Sequence, residues 1–542
     1  MNNTSLLLDS LDNVGVALCD LSPGEQVSLE LHSLEIRQFI PAKHKFALQD
    51  FFPGDEILMY GSVVAEATQK INKGAALTLE NIQHKTQAYS LERKTGARRP
   101  PEVDHWKDKT FLGFHREDGQ VGTANYWIVL PLVFCENTNI KLLQEAFENA
   151  LGFAQPNPYE QQIKALIAGD KSGTALEDTS SSLEVERNKL FPQVDGIRFL
   201  THSMGCGGTR DDASALCSLL AGYIHHPNVA GATVLSLGCQ NAQVSLLQEK
   251  LSLLSCKKPL VICEQQQEGT THALLTKAVK ETVAGLRLAN QCFRKPAPLS
   301  KLVVGLECGG SDGFSGISAN PTLGHVSDVV VTLGGTAILS EFPELCGAEQ
   351  DLINRCERPE LSEKFIHLME TYNAAAKRVG SGFDKNPSPG NIKDGLLTDA
   401  IKSCGAAKKG GTAPIADVLD YPEYIKRPGL NLLCTPGNDV ESTTALAGSG
   451  ANLILFTTGL GTPTGNPICP VIKVSSNTTL VHKMPDIIDF DAGTIISGED
   501  TPATAGERLM EFLVAVASGQ TQTKAEEKRN FDFIPWKRGV SL

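Results

Sequence analysis

Nowhere do apolar side chains run unbroken for the ~18–20 residues that a bilayer-spanning helix takes, so no segment reads as membrane-embedded. The opening, MNNTSLLLDSLDNVGVALCD, lacks the basic head and the longer apolar stretch of a secretory leader, and the expected location is the cytoplasm. Positive charge is in short supply. Against 62 Asp and Glu stand 49 Lys and Arg, a net charge of −13, which argues against nucleic acid and against an anionic membrane as partners. A small anionic substrate stays open, because a local group of lysines overrides the overall field. Close cysteine pairs are missing too. The 14 cysteines are scattered with no CxxC among them, so neither a disulfide framework nor a fixed-spacing zinc motif is expected. The lack of a close Cys triplet also speaks against an iron–sulfur cluster. No Gly-Lys-Ser/Thr phosphate loop and no GxGxxG between a strand and a helix is present, which argues against nucleotide binding.

What is present divides the 542 residues into unlike textures. Residues 1–85 hold short β-like runs (VGVALCDL, VSLELHSLEI, ILMYGSVVAEA, ALTLENI) separated by SPGE, FPGDE and NKGA turns. They predict a small β-rich module. Residues 86–109 are charged, contain Pro-Pro and read as a linker. From 110 onward, apolar runs such as YWIVLPLVF, GATVLSLGC, KLVVGLECGG, DVVVTLGGTAIL, LNLLCTPG and NLILFTTG alternate with helical patterns. Continuous apolar runs suit strands buried on both faces. The fold class is therefore α/β, with mostly parallel sheets in a large catalytic region whose first part spans 110–298 and second part 299–542.

Five of these runs end in Gly with a polar or reactive residue: His202–Cys206, Gly238–Asn241, Glu307–Gly310, Cys434–Asp439 and Thr457–Gly459. Ligands of open α/β sheets bind beyond the carboxyl ends of strands, so one shared cleft is expected. Imidazole, thiolate and carboxylate suit iron, zinc or manganese. Glycine lets backbone approach an anion closely. Lys473, on an apolar run, reads as a snorkelling strand-end residue. Lys408 and Lys409 read either as an attraction for an acidic substrate or as solvated charges.

Taken together, FHREDGQVGTANYWIVLPLVFCENTNI, HSMGCG, LGCQNAQ, ECGGSDGFSGISANPTLG, EFPELCGAEQ, NPSPGN, PGLNLLCTPGND, TTGLGTPTGNP and IDFDAGTII resemble, in order, the sugar-acid dehydratases of the altronate and galactarate type. The start, with LDNVGVAL, KHKFAL and MYG, resembles the SAF module that leads those enzymes. The resemblance implies loss of water from a 2,3-dihydroxy sugar acid, D-altronate to 2-keto-3-deoxy-D-gluconate, with Fe2+ or Mn2+ as cofactor. The expected metal ligands are His202, Cys206, Cys239 and Cys308. Expected acid–base groups are Glu307 and Asp312, with His44 and Lys45 reaching in from the module. Expected substrate contacts are Gly309, Gly310, Ser311, Asn438, Asp439, Thr457 and Thr458. The chain departs from the family where many members carry paired histidines and it has LTLEN (77–81), where a Lys often precedes Tyr-Gly and it has Met59, and where some have Arg and it has Leu460. The work of the paired histidines then falls to His44 or His84. Galactarate or glucarate dehydration and sulfite elimination from sulfolactate need the same kind of site. A sugar-acid- or metal-binding protein without catalysis is the reading from another class. A homodimer is the default for a soluble enzyme of this size.

Overall fold

Short runs between tight turns set the first 84 residues into antiparallel pairs. The computed structural model describes residues 4–29, 32–94, 96, 98–154, 157–169 and 189–541. Ser5–Leu6, Val14–Ala17 and Lys45–Ala47 make one three-stranded sheet, and Glu56–Met59, Ser62–Ala67 and Ile82–His84 another. Two runs that read as single strands fold back on themselves. VSLELHSLEI is the hairpin of Gln26–Leu29 with His32–Glu35. ILMYGSVVAEA turns at Tyr60-Gly61, both at positive φ (60° and 73°), the backbone that a tight hairpin turn requires.

The rest is α/β, as the apolar runs predict. A four-stranded parallel sheet has the order Gly196–Phe199, Tyr126–Pro131, Val229–Ser236, Leu260–Glu264. A seven-stranded parallel sheet has the order Ile415–Leu419, Gly429–Leu433, Thr336–Leu339, Val303–Cys308, Leu453–Thr458, Val471–Ser475, Phe490–Asp491. Tyr126–Pro131 and Leu453–Thr458 are buried at every position, as strands covered on both faces must be. One run differs. The first half of DVVVTLGGTAIL closes the helix Ala319–Thr332, and only Thr336–Leu339 is strand. Gly334-Gly335 makes the break, the first at φ 85°.

Helices Arg210–His225 and Asp439–Gly448 join the two sheets through one core. They touch so closely that a Cβ on Gly222 would lie 2.0 Å from the Gly448 carbonyl oxygen. A short antiparallel sheet, Val121–Gly122, Thr110–His115 and Arg294–Pro298, brings the chain back to where the α/β region starts. No helix among the described residues is long and apolar enough to cross a membrane.

Two features place the site. Strand order in the larger sheet reverses beside Val303–Cys308: the next strand, Thr336–Leu339, lies on one side of it and Leu453–Thr458 on the other. The crevice beyond such a switch point is where α/β sheets bind ligands. Second, the N-terminal module shares a core with the catalytic region. Val14, Phe51, Ile57 and Val64 pack in one cluster with Phe314, Ile317, Leu397 and Ile401.

Candidate functional site

Register decides which side chains share a face. Glu307, Phe456 and Lys473 are direct neighbours across three adjacent parallel strands, so they project to the same side. Glu307 is fully buried, and its Oε2 accepts hydrogen bonds from Ser340 Oγ (2.8 Å) and Ser442 Oγ (2.6 Å). Burial, helped by the charge of Glu341, pushes its carboxyl well above the usual range. Lys473 is 1% exposed. Its Nζ has no hydrogen-bond partner and lies 3.5 Å from the Phe456 ring centroid. Burial pulls its pKa down to about 7. The snorkelling expected of Lys473 does not occur, because it is the central residue of Val471–Ser475 and points into the core. Asp439 opens the helix Asp439–Gly448, with its pKa raised first by burial and then by Glu344. A Cβ on Gly309 would lie 2.1 Å from Asp439 Oδ2, so glycine is what lets that carboxylate approach the strand end. A carboxyl pushed up by burial and an amine brought down toward neutrality, side by side, are the equipment of acid–base catalysis.

Cys308, the next residue along the strand, points to the opposite face. Its Sγ donates to Glu344 Oε2 (3.1 Å) and accepts from Lys409 Nζ (2.8 Å). Lys409 Nζ also donates to Glu341 Oε2 (2.6 Å), and Lys402 Nζ to Glu344 Oε1 (2.6 Å). The Cys308 N–H donates to the same Glu341 oxygen (3.0 Å). All five side chains are buried. Burial and the neighbouring Glu344 raise Glu341 to about 7. Burial also pushes Glu344 up, but Lys402 and Lys409 outweigh it and hold that carboxyl below its usual range. Glu341 stands in the left-handed region at φ 68°, a conformation that costs a non-glycine residue about 1–3 kcal/mol. The Thr435 hydroxyl accepts its N–H at 2.8 Å and helps keep it there. Ligand atoms of Cys308, Glu341 and Glu344 lie within 4.8 Å of one another.

The N-terminal module reaches this rim, but through a residue the sequence reading passed over. Lys43, at φ 75°, places its Nζ 3.0 Å from Asp312 Oδ2 and 3.0 Å from Asp394 Oδ1. His44 Nε2 contacts the Lys393 carbonyl at 3.1 Å. Lys45 Nζ donates to the carbonyls of Lys43 (2.9 Å) and Gly395 (2.6 Å), and burial pulls its pKa to about 7. Its bonds are spent on backbone, so Lys45 braces the docked loop. Asp312 is fully buried and accepts from Phe314 N, Ser315 Oγ, Ser476 Oγ and Asn477 Nδ2 besides Lys43. Both of its oxygens are thus taken by hydrogen bonds and the Lys43 ion pair. Replacing Lys43 by methionine is expected to cost about 3 kcal/mol, by leaving a buried carboxylate uncompensated. Urea unfolding measures it, and a change below about 0.5 kcal/mol would show that the ion pair does not hold the module.

The other expected residues separate. The Gly309 N–H is spent on the Thr457 carbonyl (3.0 Å), and the Gly310 carbonyl accepts from Gly459 and Leu460 N–H. Ser311 is buried, with its carbonyl bonded by Asn391 Nδ2. Thr457 Oγ1 donates to Asn320 Oδ1, and Thr458 Oγ1 accepts from Gly461 N. Asn438 is exposed, bonded to Glu441. Apart from exposed Asn438, these groups are tied up in the packing at the strand ends. The four expected metal ligands do not meet. His202 uses both ring nitrogens on backbone, Nε2 to the Pro131 carbonyl (2.8 Å) and Nδ1 to Met204 N–H (3.1 Å). Burial lowers its pKa to about 4, so it is a packed neutral imidazole. Cys206 and Cys239 belong to the four-stranded sheet, whose strand-end loops are tied by Phe134 N–H to the Met204 carbonyl and Asn241 N–H to the Cys206 carbonyl. They lie near Cys135, which the sequence reading missed and whose thiol is pushed up first by burial and then by Cys206 and Cys239; all three are exposed. The five strand ends thus form two groups, two on the smaller sheet and three on the larger. Lys402, Glu341 and Glu344 were also missed as site residues, whereas Lys409 was read as either a substrate attraction or a solvated charge and is in fact buried. The three-residue spacing of Glu341 and Glu344 within EFPEL was the available signal.

Comparison with known proteins now bears on this geometry. Residues 3–85 match the profile described as the altronate/galactarate dehydratase SAF domain. Residues 113–290 match D-galactarate dehydratase/altronate hydrolase, second domain. Residues 299–541 match D-galactarate/altronate dehydratase, C-terminal. The chain belongs to the altronate/galactarate dehydratase family. An altronate dehydratase of Escherichia coli (strain K12) is 33% identical over 99% of each chain, and one of Bacillus subtilis (strain 168) is 33% identical over 98% of each. A galactarate dehydratase (L-threo-forming) of Escherichia coli (strain K12) is 30% identical over 95% of this chain and 93% of its own. Membership makes the chain a hydro-lyase acting in sugar-acid dehydration, and the resemblance drawn from its motifs holds.

Proposed function

We propose that the chain dehydrates D-altronate to 2-keto-3-deoxy-D-gluconate at the switch point of the seven-stranded sheet. The observation that carries this is the pair on one sheet face: Glu307, fully buried with its carboxyl pushed well above the usual range, and Lys473, an unpartnered amine with a pKa of about 7. The C2 proton of a sugar acid lies α to a carboxylate and is only weakly acidic. Lys473 Nζ takes it, and the electron pair moves into the C2–C3 bond as the C3–O bond breaks. Glu307 gives its proton to the departing hydroxyl, which leaves as water. The resulting enol takes up a proton at C3 and becomes the 2-keto acid. Acid–base groups of this kind each contribute about 10²–10⁴-fold.

Fe2+ or Mn2+ is the cofactor in this reading. Cys308, Glu341 and Glu344 would hold it, a donor set of one thiol and two carboxyls within 4.8 Å that suits Fe2+ and, through its oxygens, Mn2+. When bound, the ion supplies positive charge for the carboxylate on which the enolate develops. Lys402 and Lys409 add fixed charge on the same side, and Asp312 with Lys43 anchors the loop that frames the crevice.

Purified protein, loaded anaerobically with Fe2+ or Mn2+, is expected to form 2-keto-3-deoxy acid from altronate and not from galactarate, glucarate, mannonate or sulfolactate. Product from galactarate, glucarate or sulfolactate instead would reassign the substrate. Silence on all five would favour a binding protein. Below saturation the rate is expected to climb as pH rises through about 7, because Lys473 works as the free amine. A flat profile from pH 6 to 8 would remove Lys473 as the base.

A further inference from the structure

Three side chains of metal-binding type converge on the seam between module and catalytic region, away from the Glu307–Lys473 face. His84 ends the strand Ile82–His84, Cys346 follows the short helix Phe342–Leu345, and Asp399 opens the helix Asp399–Ala407. Their ligand atoms all lie within 4.8 Å of one another. Ligands bound to one zinc ion at about 2.0–2.3 Å are at most about 4.6 Å apart, so the group is nearly gathered to that span. A second observation points the same way. His84 Nδ1 and Asp399 Oδ2 are both buried without a hydrogen-bond partner, and Asp399 is 1% exposed. Leaving one such atom unsatisfied costs about 1–3 kcal/mol. Two of them within one ligand group call for a positive centre.

The frame around the group is rigid. Thr398 Oγ1 donates to the Val64 carbonyl of the module at 2.9 Å and also caps the helix that carries Asp399. Gly347, at φ 96°, would bring a Cβ within 3.2 Å of both Thr86 and Ala400, so the turn after Cys346 is pressed between the two parts. Asp399 Oδ1 is held by Ser403 Oγ at 3.2 Å, which leaves Oδ2 free.

We propose that His84, Cys346 and Asp399 bind one divalent ion of the zinc class and so fasten the N-terminal module to the catalytic region. One imidazole, one thiolate and one carboxylate give a mixed N/S/O set for a tetrahedral ion, with water in the fourth position. The site stands independently of the reaction, because none of its three ligands belongs to the proposed acid–base pair.

Full-length Cys308→Ser protein, whose other candidate metal group has lost its thiol, stripped with chelator and titrated anaerobically with Co2+ tests this and is the parent for the variants that follow. Thiolate-to-cobalt charge-transfer absorption is expected at one equivalent, bleached by Zn2+. Cys346→Ser is expected to lose that band. His84→Ala should weaken Zn2+ binding about 100-fold or more, since even residues behind the ligands alter affinity 10–100-fold. Zn2+ should raise the Tm of the parent protein and not of Cys346→Ser. A band that survives when Cys346→Ser is added to that parent would place the ion at the Cys135, Cys206 and Cys239 group and overturn the proposal. So would a parent protein that shows no band at all, whatever the variants do.

Discussion

Replacing Lys473 by methionine should lower kcat by about 10²–10⁴-fold while making the protein more stable below neutral pH. Methionine nearly matches lysine in length and asks for no partner, whereas the buried ammonium has none among the protein's acceptors. The pH dependence separates this from a general loss of fold. Between about pH 7 and 10.5, native Lys473 binds fewer protons than the unfolded chain. Its penalty on folding is therefore fully present below pH 7 and fades as pH rises toward 10.5. Lys473→Met removes that penalty, so its stability gain over the parent should be clear at pH 6 and small at pH 10. Steady-state turnover with urea unfolding at both pH values measures the two effects. Undiminished turnover would send the search for the base to another residue.

Lys409→Met should have the opposite character, a stability loss of about 3–5 kcal/mol. That is a large share of the roughly 5–15 kcal/mol that holds a domain folded. Lys409 is 1% exposed and bonded to both Cys308 and Glu341. Without it, Glu341 and Glu344 keep only Lys402 between them. Two further measurements tie the loss to charge. Adding Glu341→Gln to Lys409→Met should recover much of it, a coupling that a double-mutant cycle reads directly. Lowering the pH to 5.5 should shrink it as well, because Glu341 already titrates near 7 and takes up a proton there. Equal stability of parent and variant at pH 8 would mean that the ammonium offsets nothing.

The sequence conveyed backbone and location better than partnership. Apolar runs such as NLILFTTG declared fully covered strands, and ECGGSDG marked the strand end at which the sheet order reverses. That much follows from local pattern, because a strand buried on both faces shows it in every residue. DVVVTLGGTAIL misled for the same reason, since a buried helical turn and a buried strand look alike over four residues. Partnership is set by distant chain. Lys473 seemed an ordinary strand-end lysine because the ring of Phe456 that covers its ammonium comes from another strand. His202 seemed a ligand until the fold turned both nitrogens onto backbone. Cys135, Cys206 and Cys239 are separated by dozens of residues and meet because three adjacent strands end together. Lys43 was overlooked beside the more reactive-looking His44, although its positive φ is what aims it at Asp312.

Val14, Phe51, Ile57 and Val64 rest against Phe314, Ile317, Leu397 and Ile401 with no solvent layer between the two sets. The strand that carries Glu307 and Cys308 runs on through Asp312 into Phe314, so the floor of the module and the strand end of the proposed site are one continuous packing. Such a seam does not melt in stages. The module is expected to show no transition temperature of its own, because loosening its floor exposes the residues it shares with the catalytic region. Heat absorbed in a calorimeter would register both as a single cooperative event, and a fragment lacking the first 85 residues would come out of the cell with a bare greasy floor.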